Sequence, residues 1–153
     1  MDANHYHLVS TWLLPATPAR VYAALRDVGH YPDWWPQIRS VRRLTDHSGE
    51  LVIRSVLPYS LRLTAREQLQ DEAAGLLAAE LTGDLVGWSR WTVRPDDHDD
   101  PDGTGTRAVF EEEVRPAKPL MRRLAPVARP LFLANHAAMM RSGRRGLLRH
   151  LVG

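Results

Sequence analysis

Residues 27–36 read DVGHYPDWWP, and the fold turns on what this stretch does. It gathers one tyrosine, two tryptophans and two prolines. Pro32 and Pro36 fix their own φ and disfavour the helical region for the residues before them, Tyr31 and Trp35. The chain therefore turns here, and it carries aromatic surface that is costly to leave in water. Trp34 and Trp35 are adjacent, so no single helix or strand face buries both. The expectation is one ring in a core and the other toward a pocket, a partner or solvent.

Working outward, residues 6–14 are rich in β-branched, aromatic and leucine side chains and read as a strand ended by Pro15. Thr17-Pro18 is an N-cap followed by a proline at the first helical position. Val21, Tyr22, Ala24, Leu25 and Val28 then recur at helical spacing, with Gly29 as the stop. A second short helix or turn is expected over 31–38. From Ser40 the pattern changes to strands separated by turn residues: 40–46, 50–57 (broken at Pro58), 60–70, 76–82, 85–94 and 106–114. In 60–70, Leu61, Leu63, Ala65 and Leu69 alternate with polar residues, and Glu67 is the exception on the apolar side. No helix-length segment separates these strands, so the sheet is antiparallel.

The tail is helical, punctuated by Pro116, Pro119, Pro126 and Pro130. Because a proline deep in a helix costs about 3 kcal/mol, these belong in turns or first turns. That places a short helix over 119–124 and a long one from between Pro126 and Pro130 to Leu151. Its inward stripe, Phe132, Asn135, Met139, Ser142, Gly143 and Gly146, is small and soft. Such a stripe either admits a close approach or leaves an empty volume beneath it.

Composition narrows the class. A chain of 153 residues, 44% apolar and 25% charged, fits one soluble domain over 1–153. With no cysteine, disulfides and thiolate metal sites are excluded. No signal peptide is apparent, and no window approaches a membrane span, so a cytoplasmic location is expected. Residues 1–113 carry a net charge of −7 and residues 114–153 carry +9. A basic helix lying on an acidic body accounts for that asymmetry without a nucleic-acid role, for which no motif is present. The acidic run at 96–105 is tested as a calcium loop by aligning Gly103 with the invariant glycine. His98, Asp100 and Asp102 then take ligand positions, but Val109 falls where a bidentate glutamate is required. A solvated hairpin tip is the better reading.

Several stretches carry a family resemblance: VYAALRDVGHYPDWWPQIRSVRRL at 21–44, GDLVGWSRWTV at 83–93 and LFLANHAAMMRSGRRGLLRHL at 131–151. Together with the element order, they resemble the helix-grip superfamily, which includes START lipid-transfer domains, and within it the bacterial polyketide cyclase/dehydrases. The resemblance implies an α+β fold: a seven-stranded antiparallel sheet wrapped around a long C-terminal helix, with two short helices after the first strand. It also implies an apolar cavity between sheet and helix. Strand alternation proposes three lining rows: Leu61, Leu63, Ala65, Glu67 and Leu69; Leu85, Gly87, Ser89, Trp91 and Val93; Ala108, Phe110, Glu112 and Val114. The faces of 6–14 and 51–57 stay open, since a one-residue slip exchanges them.

The candidate ligand-binding residues are Tyr31, Trp34, Trp35, Leu63, Ser89, Trp91, Phe110, Asn135 and Met139. A ligand is expected to enter between the 31–35 turn and the long helix, past one of the paired tryptophans; the alternative is that both rings plug the end of the sheet. Glu67 and Glu112 are carboxylates on otherwise inward faces. Either acts as general acid or base for an aldol-type cyclisation or dehydration, or pairs with an arginine such as Arg54, or sits where the sheet meets solvent. His5 and His7 share a strand face but lack a third ligand, so no metal site is expected. His136 and Asn135 suit a polar contact within the fold as well as catalysis. No cofactor fingerprint occurs. Two functions remain: a polyketide cyclase/dehydrase-like enzyme, or a non-catalytic carrier or sensor for a lipid or quinone. Both take a small hydrophobic molecule as partner, and neither fixes an oligomeric state.

Overall fold

The structure is a computed structural model that describes residues 4–54, 60–96, 105–117, 119–123 and 125–152. Seven strands form one antiparallel sheet: β1 (Tyr6–Leu14), β2 (Ile38–Thr45), β3 (Ser48–Arg54), β4 (Ser60–Asp71), β5 (Leu76–Gly83), β6 (Leu85–Pro95) and β7 (Thr106–Pro116). Their order is β1-β7-β6-β5-β4-β3-β2, so the strands first and second in sequence lie on opposite edges. The chain crosses from one edge to the other through α1 (Pro18–Arg26) and a 3₁₀ helix (Val28–Asp33). After β7 come α2 (Pro119–Arg123) and α3 (Ala125–Val152). This is the helix-grip arrangement.

The crossing explains why DVGHYPDWWP matters. The Trp34 and Trp35 amides both donate to the Tyr31 carbonyl (3.1 and 2.8 Å), and Pro36 stops the helix from continuing. Ile38 N then donates to Trp35 O at 3.0 Å and starts β2. Because Trp34 sits in neither helix nor strand geometry (φ −132°, ψ −11°), the adjacent rings need not point apart. They stack at 5.3 Å with 19° between planes, and both are buried. No regular helix or strand face buries both rings, as expected; the irregular turn lets them stack because it is not bound by the periodicity of such a face.

What receives them is the small stripe of α3. A Cβ on Gly146 would lie 1.6 Å from the Trp34 carbonyl oxygen, and one on Gly143 would lie 2.5 Å from the Trp35 ring. The two glycines, one turn apart, let the turn sit directly on the helix backbone. Trp35 Nε1 donates to Met139 O (3.0 Å) and fixes that contact. Trp12 meets Trp34, Trp35 and Trp91 from the sheet side, so one aromatic cluster ties sheet, turn and helix together. A smaller cluster of Tyr6, Leu61, Leu63, Leu81, Leu85 and Val114 packs with Phe132 of α3.

Several expected boundaries move. α1 ends at Arg26, because Asp27 leaves helical geometry (φ −84°, ψ 65°) before Gly29 is reached. The second short helix is 3₁₀ and begins at Val28, ahead of the expected 31–38. The β2–β3 hairpin pairs Thr45 with Ser48, so Ser48 and Gly49 belong to β3 and not to the turn. α3 starts at Ala125 and contains Pro130, which removes one bond near the amino-terminal end of a 28-residue helix. The break at Pro58 and the acidic tip 97–104 lie outside the described residues. β1, left open by its sequence, turns Tyr6, Trp12 and Leu14 inward and exposes Val9 and Leu13. Two tail arginines donate to the main chain at this edge, Arg129 to His5 O (3.0 Å) and Arg144 to Leu13 O (3.1 Å).

Candidate functional site

Between the sheet and α3 lies a cavity of about 630 Å³. The inward rows of β3 and β4 supply Leu51, Ile53, Leu61 and Leu63, and α3 supplies Phe132, Met139 and Met140. Tyr31, Trp35, Trp91 and Phe110 add aromatic faces; Trp91 and Phe110 lie 4.8 Å apart. Two of these aromatics spend their polar handles within the protein. Tyr31 Oη donates to Leu25 O (2.5 Å), and Trp35 Nε1 is held by Met139 O. They therefore present ring surface to the cavity, and burial raises the Tyr31 pKa so that its hydroxyl stays neutral.

Against this apolar lining, β7 and α3 bring two titratable groups together. Glu112 lies inward between Phe110 and Val114, and His136 lies one turn after Phe132 and one before Met140. Glu112 Oε1 and His136 Nε2 are 3.6 Å apart, with side chains 11% and 13% exposed. Burial pushes the Glu112 carboxyl up to about 7 and the His136 imidazole down to about 4. Both shifts favour the uncharged form, as expected where desolvation outweighs an attraction across 3.6 Å. Ser89, the register partner of Glu112, and Asn135 complete a polar patch on the cavity wall.

Of the residues proposed from sequence, Tyr31, Trp35, Leu63, Ser89, Trp91, Phe110, Asn135 and Met139 line this cavity. Trp34 does not. It faces the core between Trp12 and Gly146, so within the pair Trp35 faces the cavity and Trp34 is packing. The expected doorway between the turn and α3 is closed by the Gly143 and Gly146 contacts. Exposed lining residues cluster elsewhere, at the α1–3₁₀ junction (Asp27, His30), the β2–β3 hairpin (Arg43, Asp46, His47) and the outer end of β4 (Glu67, Leu69). Glu67 keeps the inward alternation of β4, since pairing with β5 is regular through Glu67↔Ala79. It stands on the rim because it sits at the exposed outer end of that row, where the sheet meets solvent. Its partner is His47 at 3.6 Å, not Arg54. His5 and His7 pair with Glu113 and Glu111 at 2.9 and 2.6 Å on the outer face of the sheet. His136 and Met140 were missing from the sequence-based ligand set. Their spacing from Phe132 along one helix face was the available signal.

A sheet gripping a long helix, with an apolar cavity and one polar patch between them, defines a protein of the helix-grip class. Residues 6–152 match the family model described as polyketide cyclase / dehydrase and lipid transport, and the chain belongs to that family. No curated protein sequence matches it. Among solved structures it is similar to the Zhui aromatase/cyclase from Streptomyces sp. R1128 (19% identity, 96% of this chain and 93% of that one, TM-score 0.77). A protein from Thermus thermophilus is also similar (18%, 96% and 97%, TM-score 0.79). So is a START superfamily protein from Mycobacterium smegmatis (16%, 92% and 98%, TM-score 0.63). At these identities the likeness concerns the fold. No helix among the described residues is long and apolar enough to cross a membrane.

Proposed function

We propose that the cavity binds a small, flat, hydrophobic molecule of polyketide type, and that Glu112 and His136 act on it as an acid–base pair in aldol-type cyclisation and dehydration. The observation that carries this reading is the Glu112 carboxyl, with a pKa of about 7, beside a neutral imidazole in an otherwise apolar chamber. A group whose pKa matches the working pH both takes and returns a proton efficiently.

The chemistry balances on these two groups. Ionised Glu112 removes a proton from a methylene between two carbonyls, while a His136 N–H polarises the adjacent carbonyl oxygen. The enolate carbon bonds to a second carbonyl carbon of the same molecule, and the alkoxide formed there takes the proton back from Glu112. Loss of water repeats the cycle: Glu112 removes the remaining α-proton, the C–O bond breaks, and the departing hydroxide takes that proton from Glu112 and leaves as water. The aromatic faces hold the chain folded for the carbon–carbon step.

A carrier role is the second reading, favoured by how little of the lining is polar. Turnover separates the two. An aryl poly-β-ketone should cyclise faster with the wild type than in buffer, and Glu112→Gln should slow that reaction by roughly 10²–10⁴-fold with binding retained. Binding without any rate enhancement by the wild type would leave only the carrier.

A further inference from the structure

Resting on the reading that the cavity binds a flat apolar molecule, we infer that it selects electrically neutral, hydroxylated aromatic ligands over carboxylates, with Glu112 as the selecting residue. The selection follows from which charges stand inside and which stand at the rim.

Of the four acidic side chains on the described lining, Asp27, Asp46 and Glu67 are exposed at the rim and Glu112 alone is buried inside. His136, 3.6 Å away, is beyond hydrogen-bond reach. Burial alone accounts for the raised pKa of Glu112, with no hydrogen bond or neighbouring charge contributing. Its carboxyl thus faces the cavity ready to accept a hydrogen bond. No lysine or arginine of the described lining accompanies it in the interior. The two lining arginines are at the rim, half exposed or more, and already engaged: Arg26 with Glu72 (4.0 Å) and Arg43 with Asp46 (3.1 Å). The rim histidines are likewise held, His30 by Asp27 at 2.8 Å and His47 by Glu67 at 3.6 Å.

A ligand carboxylate would therefore leave water for a chamber with no cation to meet it and a carboxyl group in its path. Burying an unpaired charge costs several kcal/mol, more than an added hydrogen bond returns. A phenolic hydroxyl meets the opposite situation. It donates to Glu112 and accepts from a His136 N–H, and its ring lies on Trp35, Trp91 or Phe110. The walls thus suit phenols and hydroquinones and exclude fatty and aromatic acids of the same size.

Three ligands sharing one ring system test this at pH 7.5, read by quenching of tryptophan emission: naphthalene, 2-naphthol and 2-naphthoate. Wild-type protein should bind 2-naphthol roughly 100-fold more tightly than 2-naphthoate, and more tightly than naphthalene. In Glu112→Gln, which removes the charge but keeps the shape, the naphthol-to-naphthoate ratio should fall at least about tenfold, with naphthoate gaining. Equal binding of naphthoate and naphthol by the wild type overturns the inference while cavity binding stands. A ratio unchanged by Glu112→Gln removes Glu112 as the selector. Failure of all three ligands to bind overturns the cavity reading itself, and the inference with it.

Discussion

Gly146→Ala is expected to destabilise the protein by more than about 3 kcal/mol, the upper end of what overpacking a core usually costs. Helix propensity alone argues the other way, since alanine in a helix interior is better than glycine by about 1 kcal/mol. The clash decides the sign. The new Cβ would lie 1.6 Å from the Trp34 carbonyl oxygen, a backbone atom in a turn held by two amide bonds to Tyr31 O. Neither side can give without lifting the turn from α3 and opening the aromatic cluster. Gly143→Ala should cost less, because its 2.5 Å contact is with the Trp35 ring, which can tilt at the expense of its bond to Met139 O. Urea denaturation of the two variants checks both the size and the ranking. A Gly146→Ala protein as stable as wild type would mean that the turn does not rest on this helix.

The second large effect is on the pH dependence of stability. Glu112 has a folded pKa of about 7 against an ordinary 4.5, so the stability it contributes is fully present below about pH 4.5 and lost as pH rises through 7. His136 runs in the other direction. With a folded pKa of about 4 against 6.5, its contribution is present above about pH 6.5 and lost as pH falls through 4. Glu112→Gln removes the alkaline loss and leaves the acid one. The variant should be more stable than wild type at pH 8.5, by on the order of 3 kcal/mol, and close to it at pH 5. Thermal unfolding across that range reads the difference. A variant destabilised at pH 8.5 would show that ionised Glu112 is well satisfied, and the acid–base assignment would fail with it.

Much of the fold was legible because its cues are local. Alternation in 60–70, a proline-fixed turn after an N-capped helix, and turn residues between short strands each follow from backbone chemistry within a few positions. Glu67 shows the limit: alternation placed it on the right face, but its position at the open rim depends on how far β4 runs past the chamber, which its neighbours do not announce. Trp34 shows another, since the stacking of adjacent rings depends on an irregular turn and on two glycines far along the chain, Gly143 and Gly146. Pro130 lies inside α3 and not at its first turn, because a long helix tolerates one lost bond near its start. At the site, the apolar lining could be read from strand period. The Glu112–His136 approach could not, because it depends on how α3 is rotated over β7.

Whether the cavity is the binding place is most directly tested by NMR of methionine methyl groups. The chain has four methionines, and Met139 and Met140 line the cavity. Protein labelled with ¹³C at those methyls gives few signals, which Met139→Leu and Met140→Leu assign. On titration with 2-naphthol, the Met139 and Met140 signals should shift together and saturate with the same affinity as tryptophan quenching. Quenching that saturates with Met139 and Met140 unmoved would place the ligand outside the cavity and contradict the proposed function.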